Sequence, residues 1–193
     1  NLLNFLKFVD PKIYEEYLLD RYKDSRPATP KPEFNFKPVK FTDPTLLDNI
    51  TKICDLKDTH PARQYCERRL IPKKYLDKLY YCDKFTEFVN KAKKGTFVTA
   101  KEHPRLIIPF FDISKKLIAF QGRAFGNENP KYLTIKLKED AKKIFGLDRI
   151  NLQDHIYITE GPIDSLFLDN CIAAGGSDLL FEDAPSQQVT YIF

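Results

Sequence analysis

The sequence has 193 residues, of which 42% are hydrophobic and 30% are charged, and its formal net charge is +4. These values are typical of a globular protein with one good-sized core or two small ones, and they exclude a disordered, fibrous or membrane-spanning chain. The modest positive charge does not by itself indicate a nucleic-acid partner, because the distribution of charge matters more than its sum.

Four cysteines are present and none forms a CxxC pair. The sequence therefore predicts reduced, packed thiols of the cytoplasm and no zinc ribbon. No targeting segment and no apolar run long enough to span a bilayer is recognisable, so we expect no membrane partner. The chain begins with Asn1 instead of Met, which indicates an internal fragment of a longer protein.

Two segments precede the main part of the chain. Residues 1–24 carry apolar side chains at helical spacing, which predicts a helical segment packed through one face. Residues 25–45 contain five prolines and interleaved lysines. Proline cannot donate a backbone hydrogen bond, so this composition predicts an extended linker.

Residues 46–150 are predicted to form a mixed α+β subdomain. The spacing from Leu46 to Ala92 is mostly helical, with one helix starting at His60-Pro61 and a second at Ile71-Pro72. The pattern then changes to short apolar runs that predict two hairpin strands, a third strand and a short helix before Gly146. These four elements span Arg105–Asp112, Leu117–Arg123, Lys131–Ile135 and Glu139–Phe145.

Residues 151–193 alternate between strand-like and helix-like segments, which is typical of a parallel sheet with helices on its faces. Strands are predicted at 156–159, 171–174 and 188–193, and helices at 164–170 and around Leu179. The fold class is therefore α/β: an α+β subdomain followed by a parallel sheet that is truncated at the C-terminus.

Two carboxylates flank a Gly-Pro turn at the end of the first parallel strand. Glu160 follows the strand directly, at the edge where open α/β sheets bind ligands, and Asp164 lies near the predicted helix start. Such a pair can hold a divalent cation against a phosphate. The alternative is that either acid only satisfies backbone N–H groups at the start of the next helix, and for Asp164 capping is the better-founded alternative.

Basic residues accumulate on the predicted hairpin and beyond it. Arg105 opens one hairpin strand and Arg123 closes the other, so their ends meet and both guanidinium groups can share one edge. With Lys131 and Lys143 they form a candidate phosphate-binding ridge. Tyr132 is a candidate for stacking on a base. The alternatives are solvated strand ends for each cation and core packing for Tyr132.

Five segments, in this order and at similar spacing, resemble the catalytic core of Toprim-type DNA primases, and most closely the T-even-phage type. They are Arg105–Asp112, Ile118–Ala124, Pro130–Leu133, Ile144–Arg149 and Glu160–Phe167. The resemblance is strong from about His60 to the end of the chain and weaker before it.

The resemblance implies a nucleotidyltransferase that makes short RNA primers on single-stranded DNA from nucleoside triphosphates. It implies that Glu160 ligates Mg²⁺ or Mn²⁺, that Asp164 is the second acid, and that Arg105, Arg123 and Lys131, and less directly Lys143, contact phosphates. It also implies that the protein is located in a bacterial host cell infected by the phage.

Three family features have no counterpart in the sequence. There is no N-terminal zinc ribbon, and zinc would be expected only in that ribbon. The segment that contacts the replicative helicase is also missing. The Asp-x-Asp acid pair would follow Phe193 directly. We therefore expect this chain alone to be inactive in primer synthesis. The alternatives are a Toprim nuclease or topoisomerase-related enzyme, and an inactive module that binds nucleic acid or a helicase.

Overall fold

The computed structural model describes Lys12 and residues 46–98, 101–175 and 188–192. Apart from Lys12, these residues belong to the unit Lys40–Phe193. The predicted N-terminal helical segment and proline-rich linker lie outside the described residues, apart from Lys12. The helix predicted around Leu179 lies outside them as well. Within the described ranges, no helix is both long and apolar enough to cross a bilayer.

The first sheet is antiparallel and contains five strands in sequential order, β1 to β5. The predicted hairpin and third strand are confirmed as β3, β4 and β5. Two helices, α1 and α2, lie before and after β2 along the chain. The strands are β1 (Thr51–Lys52), β2 (Tyr80–Cys82), β3 (Arg105–Phe111), β4 (Leu117–Ala124) and β5 (Tyr132–Lys136), and the helices are α1 (Pro61–Arg68) and α2 (Phe85–Ala92).

Helix α1 begins as the sequence predicts. His60 is the N-cap residue, and its Nδ1 accepts a hydrogen bond of 3.1 Å from the backbone N–H of Ala62. Pro61 occupies the first turn, where a backbone N–H group would have no acceptor within the helix, so the missing N–H of proline costs no hydrogen bond.

The second helix predicted from Ile71-Pro72 is not formed. Only a short 3-10 turn spans Lys73–Tyr75, and Tyr80 already belongs to β2. The carbonyl groups of Leu76 and Leu79 accept hydrogen bonds from Cys54 and Ile53 instead of from the next helical turn. The apolar side chains of this segment are thus buried against a distant part of the chain. Hydrophobic periodicity alone cannot distinguish such a buried irregular segment from a helix.

The second sheet contains four strands in the order β6-β8-β7-β9, with β7 parallel to both β8 and β9. This confirms the predicted parallel arrangement. The two-residue strand β6 is antiparallel to β8. The strands are β6 (Ile144–Phe145), β7 (Ile156–Thr159), β8 (Cys171–Ala174) and β9 (Val189–Ile192).

Two helices predicted in this region are wrong. Ile144 and Phe145, expected at the end of a helix, pair with Ala174 and Ala173 and are buried. The helix expected over 164–170 is a 3-10 turn, Asp164–Phe167. Asn170 ends this segment with a φ of 47°, and its side-chain amide donates to the carbonyl groups of Asn151 and His155.

A shared core joins the two sheets. Leu106, Ile108 and Phe110 of β3 belong to the same buried cluster as Phe145 and Ala173 of the second sheet. The rings of Phe110 and Phe145 lie 5.6 Å apart. The opposite face of β3 packs on α2, so the first sheet is covered on both sides.

Gly122 marks the closest approach between β4 and α2. A Cβ atom at this position would overlap the ring of Phe85, which is fully buried, and would lie 3.1 Å from Cδ of Arg105. Because the ring has no free space to move into, we expect Gly122→Ala to lower the free energy of unfolding by about 1–3 kcal/mol. Urea denaturation measures this effect. Gly126→Ala, in an exposed turn, is the control and should change stability by no more than about 0.5 kcal/mol; equal effects would contradict the packing argument.

Candidate functional site

Glu160 lies at the carboxyl edge of the parallel sheet. It follows Thr159, the last residue of β7, and Thr159 is in register with Ala173 of β8 and Ile192 of β9. The carboxyl ends of the three parallel strands therefore lie side by side, which is the arrangement that forms binding sites in open α/β sheets. Glu160 is exposed and makes no hydrogen bond to another described residue, so it does not cap the following turn.

The turn after Glu160 brings the second carboxylate back towards the start of the turn. A Cβ atom at Gly161 would overlap the carboxylate of Asp164, so only glycine leaves room for that side chain in its present position. Ile163, and not Asp164, is the N-cap residue, and no side chain caps the turn. The capping alternative for Asp164 is therefore not formed, and its carboxylate stays exposed.

The two carboxylates suit a hard divalent cation. Carboxylate oxygen atoms are the ligands that Mg²⁺ and Mn²⁺ prefer, and Mg²⁺ commonly keeps several water ligands while using only one or two protein carboxylates. Among the residues that the structure describes, no group of three or more His, Cys, Asp or Glu side chains could hold a metal. Glu160 and Asp164 supply two exposed carboxylates of the type that such a cation uses.

The ends of the hairpin strands meet as predicted, but Arg105 and Arg123 do not share a face. Arg105 is in register with Ala124, and Arg123 with Leu106. Since successive residues of a strand point to opposite faces, this offset of one position separates the two side chains. The expectation that both guanidinium groups line one edge is corrected by this register.

Arg105 is buried, with 1% of its surface exposed. Its guanidinium group donates four hydrogen bonds, to His103 and to three backbone carbonyl groups. The ring of Phe85 lies 5.1 Å from its Cζ. Burial lowers the pKa of Arg105 below its ordinary value, while nearby Glu128 acts in the opposite direction. In this geometry Arg105 supports the structure, and its donors do not face a ligand. The acceptor carbonyl groups are those of Gly122, Pro130 and Lys131.

Arg123 is held on the other face between two tyrosines. Its Cζ lies 5.6 Å from the ring centre of Tyr65 and 4.7 Å from that of Tyr132. Its Nε donates a short hydrogen bond to the hydroxyl group of Tyr65. Arg123 is also buried, with 4% of its surface exposed. Unlike those of Arg105, its terminal nitrogens make no hydrogen bond to the described residues, so the fold does not use the pair of donors that best recognises a phosphate.

Tyr132 extends this surface towards solvent, while Lys131 directly precedes it and pairs with Ala124, the register partner of Arg105. Lys131 is exposed, and 42% of the surface of Tyr132 is exposed although its ring covers the Arg123 guanidinium group. The ring therefore contributes both to holding the arginine and to the surface. Core packing, the alternative for Tyr132, does not describe a side chain with this exposure.

The arginine face and the carboxyl edge are neighbours. Thr134 of β5, two residues beyond Tyr132 on the same face, lies 3.4 Å from the carbonyl oxygen of Gly175, to which its hydroxyl group donates. Gly175 follows β8 directly, at the edge that carries Glu160. The backbone of Lys143 reaches the same edge, because its carbonyl group accepts from Gly175. Thr134 and the backbone of Lys143 thus connect the strand pair that carries Arg123 and Tyr132 with the edge that carries Glu160.

Tyr65 was not predicted as part of this surface. In the sequence it occupies the inward face of an amphipathic helix, together with Ala62 and Cys66, and that position indicates core packing. The available signal, a tyrosine among apolar neighbours, does not show that its hydroxyl group reaches a strand 58 residues away.

No protein-family model matches the chain. In sequence it is 35% identical over 185 residues to the DNA primase of Enterobacteria phage T4, an alignment that covers 94% of this chain and 54% of that protein. The chain thus spans about half the length of this relative.

Solved structures with the same fold include two primase structures. A DnaG primase catalytic domain bound to single-stranded DNA is similar with a TM-score of 0.55 and 19% identity, over 76% of this chain and 61% of that one. The zinc-binding and RNA polymerase domains of the Aquifex aeolicus primase are similar with a TM-score of 0.53 and 20% identity, over 92% of this chain and 52% of that one. The resemblance to DNA primases that the sequence motifs predict is thereby confirmed, in sequence by the phage protein and in fold by the catalytic domains.

Proposed function

We propose that this chain forms part of the catalytic core of a DNA primase, which synthesises short RNA primers on single-stranded DNA. One observation supports this function above the others: the Arg123–Tyr132 face leads directly to the sheet edge that carries Glu160. A surface of this kind places a phosphate-binding group and a metal-binding carboxylate along one strand of nucleic acid.

Each residue of the surface has a distinct role in this proposal. Glu160 and Asp164 would hold Mg²⁺ or Mn²⁺, and a bound cation would activate the primer 3′ hydroxyl group and neutralise the incoming triphosphate. Arg123 would bind a backbone or nucleotide phosphate through its two terminal nitrogens, and Tyr65 and Tyr132 fix its orientation. Lys131 and Lys143 would add positive charge along the strand.

The proposed ligands follow from this surface and from the resemblance. They are a single-stranded DNA template and nucleoside triphosphates, and the structural neighbour that is bound to single-stranded DNA supports the first of them. A replicative helicase as partner and the cytoplasm of a phage-infected bacterial cell as location follow from the resemblance alone.

Incubation of the full-length protein with nucleoside triphosphates and a single-stranded template tests the function. The expected products are short oligoribonucleotides that depend on both the metal and the template. Incubation with duplex DNA and metal alone is the parallel experiment. Cleavage of the duplex without primer synthesis would replace the proposal with a nuclease or topoisomerase-related activity.

The role of Arg123 is tested by the salt dependence of binding. Replacing it with Met removes one phosphate contact, so single-stranded DNA should bind more weakly, and the slope of log K against log salt should fall by about 1. Fluorescence anisotropy with a labelled oligonucleotide measures both quantities. Lys116→Met, at the opposite end of the same hairpin, is the control and should leave the slope unchanged. An unchanged slope in Arg123→Met would remove Arg123 from the proposed site.

A further inference from the structure

Arg149 is connected by hydrogen bonds to the turn that carries the two site carboxylates. Its Nη2 donates to Oγ of Ser165 at 2.9 Å and to the carbonyl oxygen of Cys171 at 3.0 Å. Oγ of Ser165 in turn donates to the carbonyl oxygen of Pro162 at 2.8 Å. The guanidinium group is thus one side chain away from the backbone between Glu160 and Asp164.

Ser165 fixes that backbone at two points. Besides the bond from its hydroxyl group to Pro162, its backbone N–H donates to the carbonyl group of Gly161 at 3.2 Å. Ser165 is fully buried, so these bonds are shielded from water. A hydroxyl group can rotate, and the bond from Arg149 occupies its acceptor side and directs its hydrogen towards Pro162.

Two aromatic rings and a glycine surround the Arg149 side chain. Its Cζ lies 5.2 Å from the ring centre of Tyr75 and 4.9 Å from that of Phe145, so two rings enclose the cation. A Cβ atom at Gly146, where φ is +94°, would lie 2.8 Å from Nε and 2.9 Å from Nη2 of this arginine. Glycine is therefore required beside it for both backbone and space.

Stability alone does not account for a cation at this position. Within the described ranges Arg149 forms no ion pair, and its Nε is buried without a hydrogen-bond partner. An unpaired buried donor is unfavourable, and an apolar side chain of similar size would avoid this penalty. What the arginine contributes is Nη2, which donates to Ser165 and Cys171 at once.

We propose that Arg149 and Ser165 are positioning residues, which hold the Glu160–Asp164 turn in the conformation that binds a divalent cation. Neither residue touches the cation or the substrates. The inference rests on the proposed function, because it assigns the cation to Glu160 and Asp164. Residues that orient metal-binding carboxylates from behind change metal affinity without supplying a ligand.

The test uses the full-length protein with Ser165→Ala, Arg149→Met and Arg149→Lys. Ser165→Ala removes only the hydroxyl group, so it keeps the test valid if Arg149→Met does not fold. The control is Arg63→Met, since Arg63 also donates to two backbone carbonyl groups, those of Ile53 and Cys54, but lies on α1. Manganese affinity is measured by electron paramagnetic resonance, with Glu160→Gln defining the specific site.

We expect Ser165→Ala and Arg149→Met to weaken Mn²⁺ binding at this site by about 10-fold or more. Amide hydrogen exchange of residues 160–166 in the metal-free protein should become faster in both variants, and Arg149→Lys should fall between them and the wild type. Saturating Mn²⁺ should restore most of the primer synthesis, with an unchanged KM for nucleoside triphosphates.

Two results would overturn the inference. One is an unchanged Mn²⁺ affinity and exchange rate in Ser165→Ala and Arg149→Met. The other is an equal change in Arg63→Met, which would reveal general destabilisation. If instead Glu160→Gln retains full primer synthesis and Mn²⁺ binding, the cation does not bind at Glu160 and the basis for a positioning role is lost, while the proposed function stands. The proposed function fails separately, if the wild-type protein makes no primers.

Discussion

Replacing Glu160 with Gln is expected to reduce metal-dependent primer synthesis by the full-length protein by about 100-fold or more. The substitution keeps the size and shape of the side chain but removes its negative charge. Glu160 is exposed at the carboxyl edge and has no hydrogen bond to another described residue, so its carboxylate supports no neighbouring structure. The loss should therefore appear in activity, with little change in stability.

Primer synthesis is measured by the incorporation of labelled nucleotides on a single-stranded template over a series of Mg²⁺ and Mn²⁺ concentrations. Asp169→Asn is the matched control, because Asp169 is also an exposed carboxylate, and among the described residues it pairs with Lys74 at 3.0 Å. Exposed ion pairs of this kind contribute little to stability. A Glu160→Gln enzyme with the wild-type rate would place the reacting groups elsewhere.

Replacing Arg105 with Met is expected to lower the free energy of unfolding by about 3 kcal/mol or more. The change would leave the carbonyl groups of Gly122 and Pro130 without the bonds of 2.9 Å that each receives from the guanidinium group. Met has a similar volume, so the effect measures lost hydrogen bonds more than an empty cavity. The connection between β4 and β5 should loosen, since Pro130 and Lys131 both belong to it.

Urea unfolding followed by circular dichroism measures this loss. Lys131→Met is the control, because Lys131 is an exposed cation on the same connection, and its replacement should change stability by no more than about 0.5 kcal/mol. Arg123→Met completes the comparison, since it should affect DNA binding more than Arg105→Met does in the folded protein. A fully stable Arg105→Met protein that has lost DNA binding would return Arg105 to the phosphate-binding residues.

The two arginines show how a pattern of residues can be correct while the assignment of roles is not. Both were predicted at the meeting ends of a hairpin, and both are there. Their difference comes from a one-position offset in register, which places Arg105 over Phe85 and Arg123 between two tyrosines. None of these aromatic residues is adjacent in sequence to the arginine that it contacts. Composition and spacing therefore cannot predict these contacts.

The short apolar segments show a second limit. Ile144-Phe145 and the residues after Ile71 have spacing that fits a helix, yet the first pair forms a strand and the second segment folds as a turn that leads into β2. A run of two or three residues gains its hydrogen bonds from whichever segment lies beside it. In both places that partner is distant in the chain: β8 in one case, and Ile53 and Cys54 in the other.

The sequence by itself determined the hairpin, the parallel strands, the position of Glu160 at a strand end and the resemblance to primases. These features depend on local periodicity, turn residues and motif order, which a chain carries whether or not it is folded. Only the tertiary structure decided the different surroundings of Arg105 and Arg123, that Asp164 is not a cap, and that Arg149 and Ser165 are joined by hydrogen bonds to the turn between the carboxylates. Those outcomes depend on strand register and on side chains brought together from separate segments, and such contacts exist only after the two sheets have packed together.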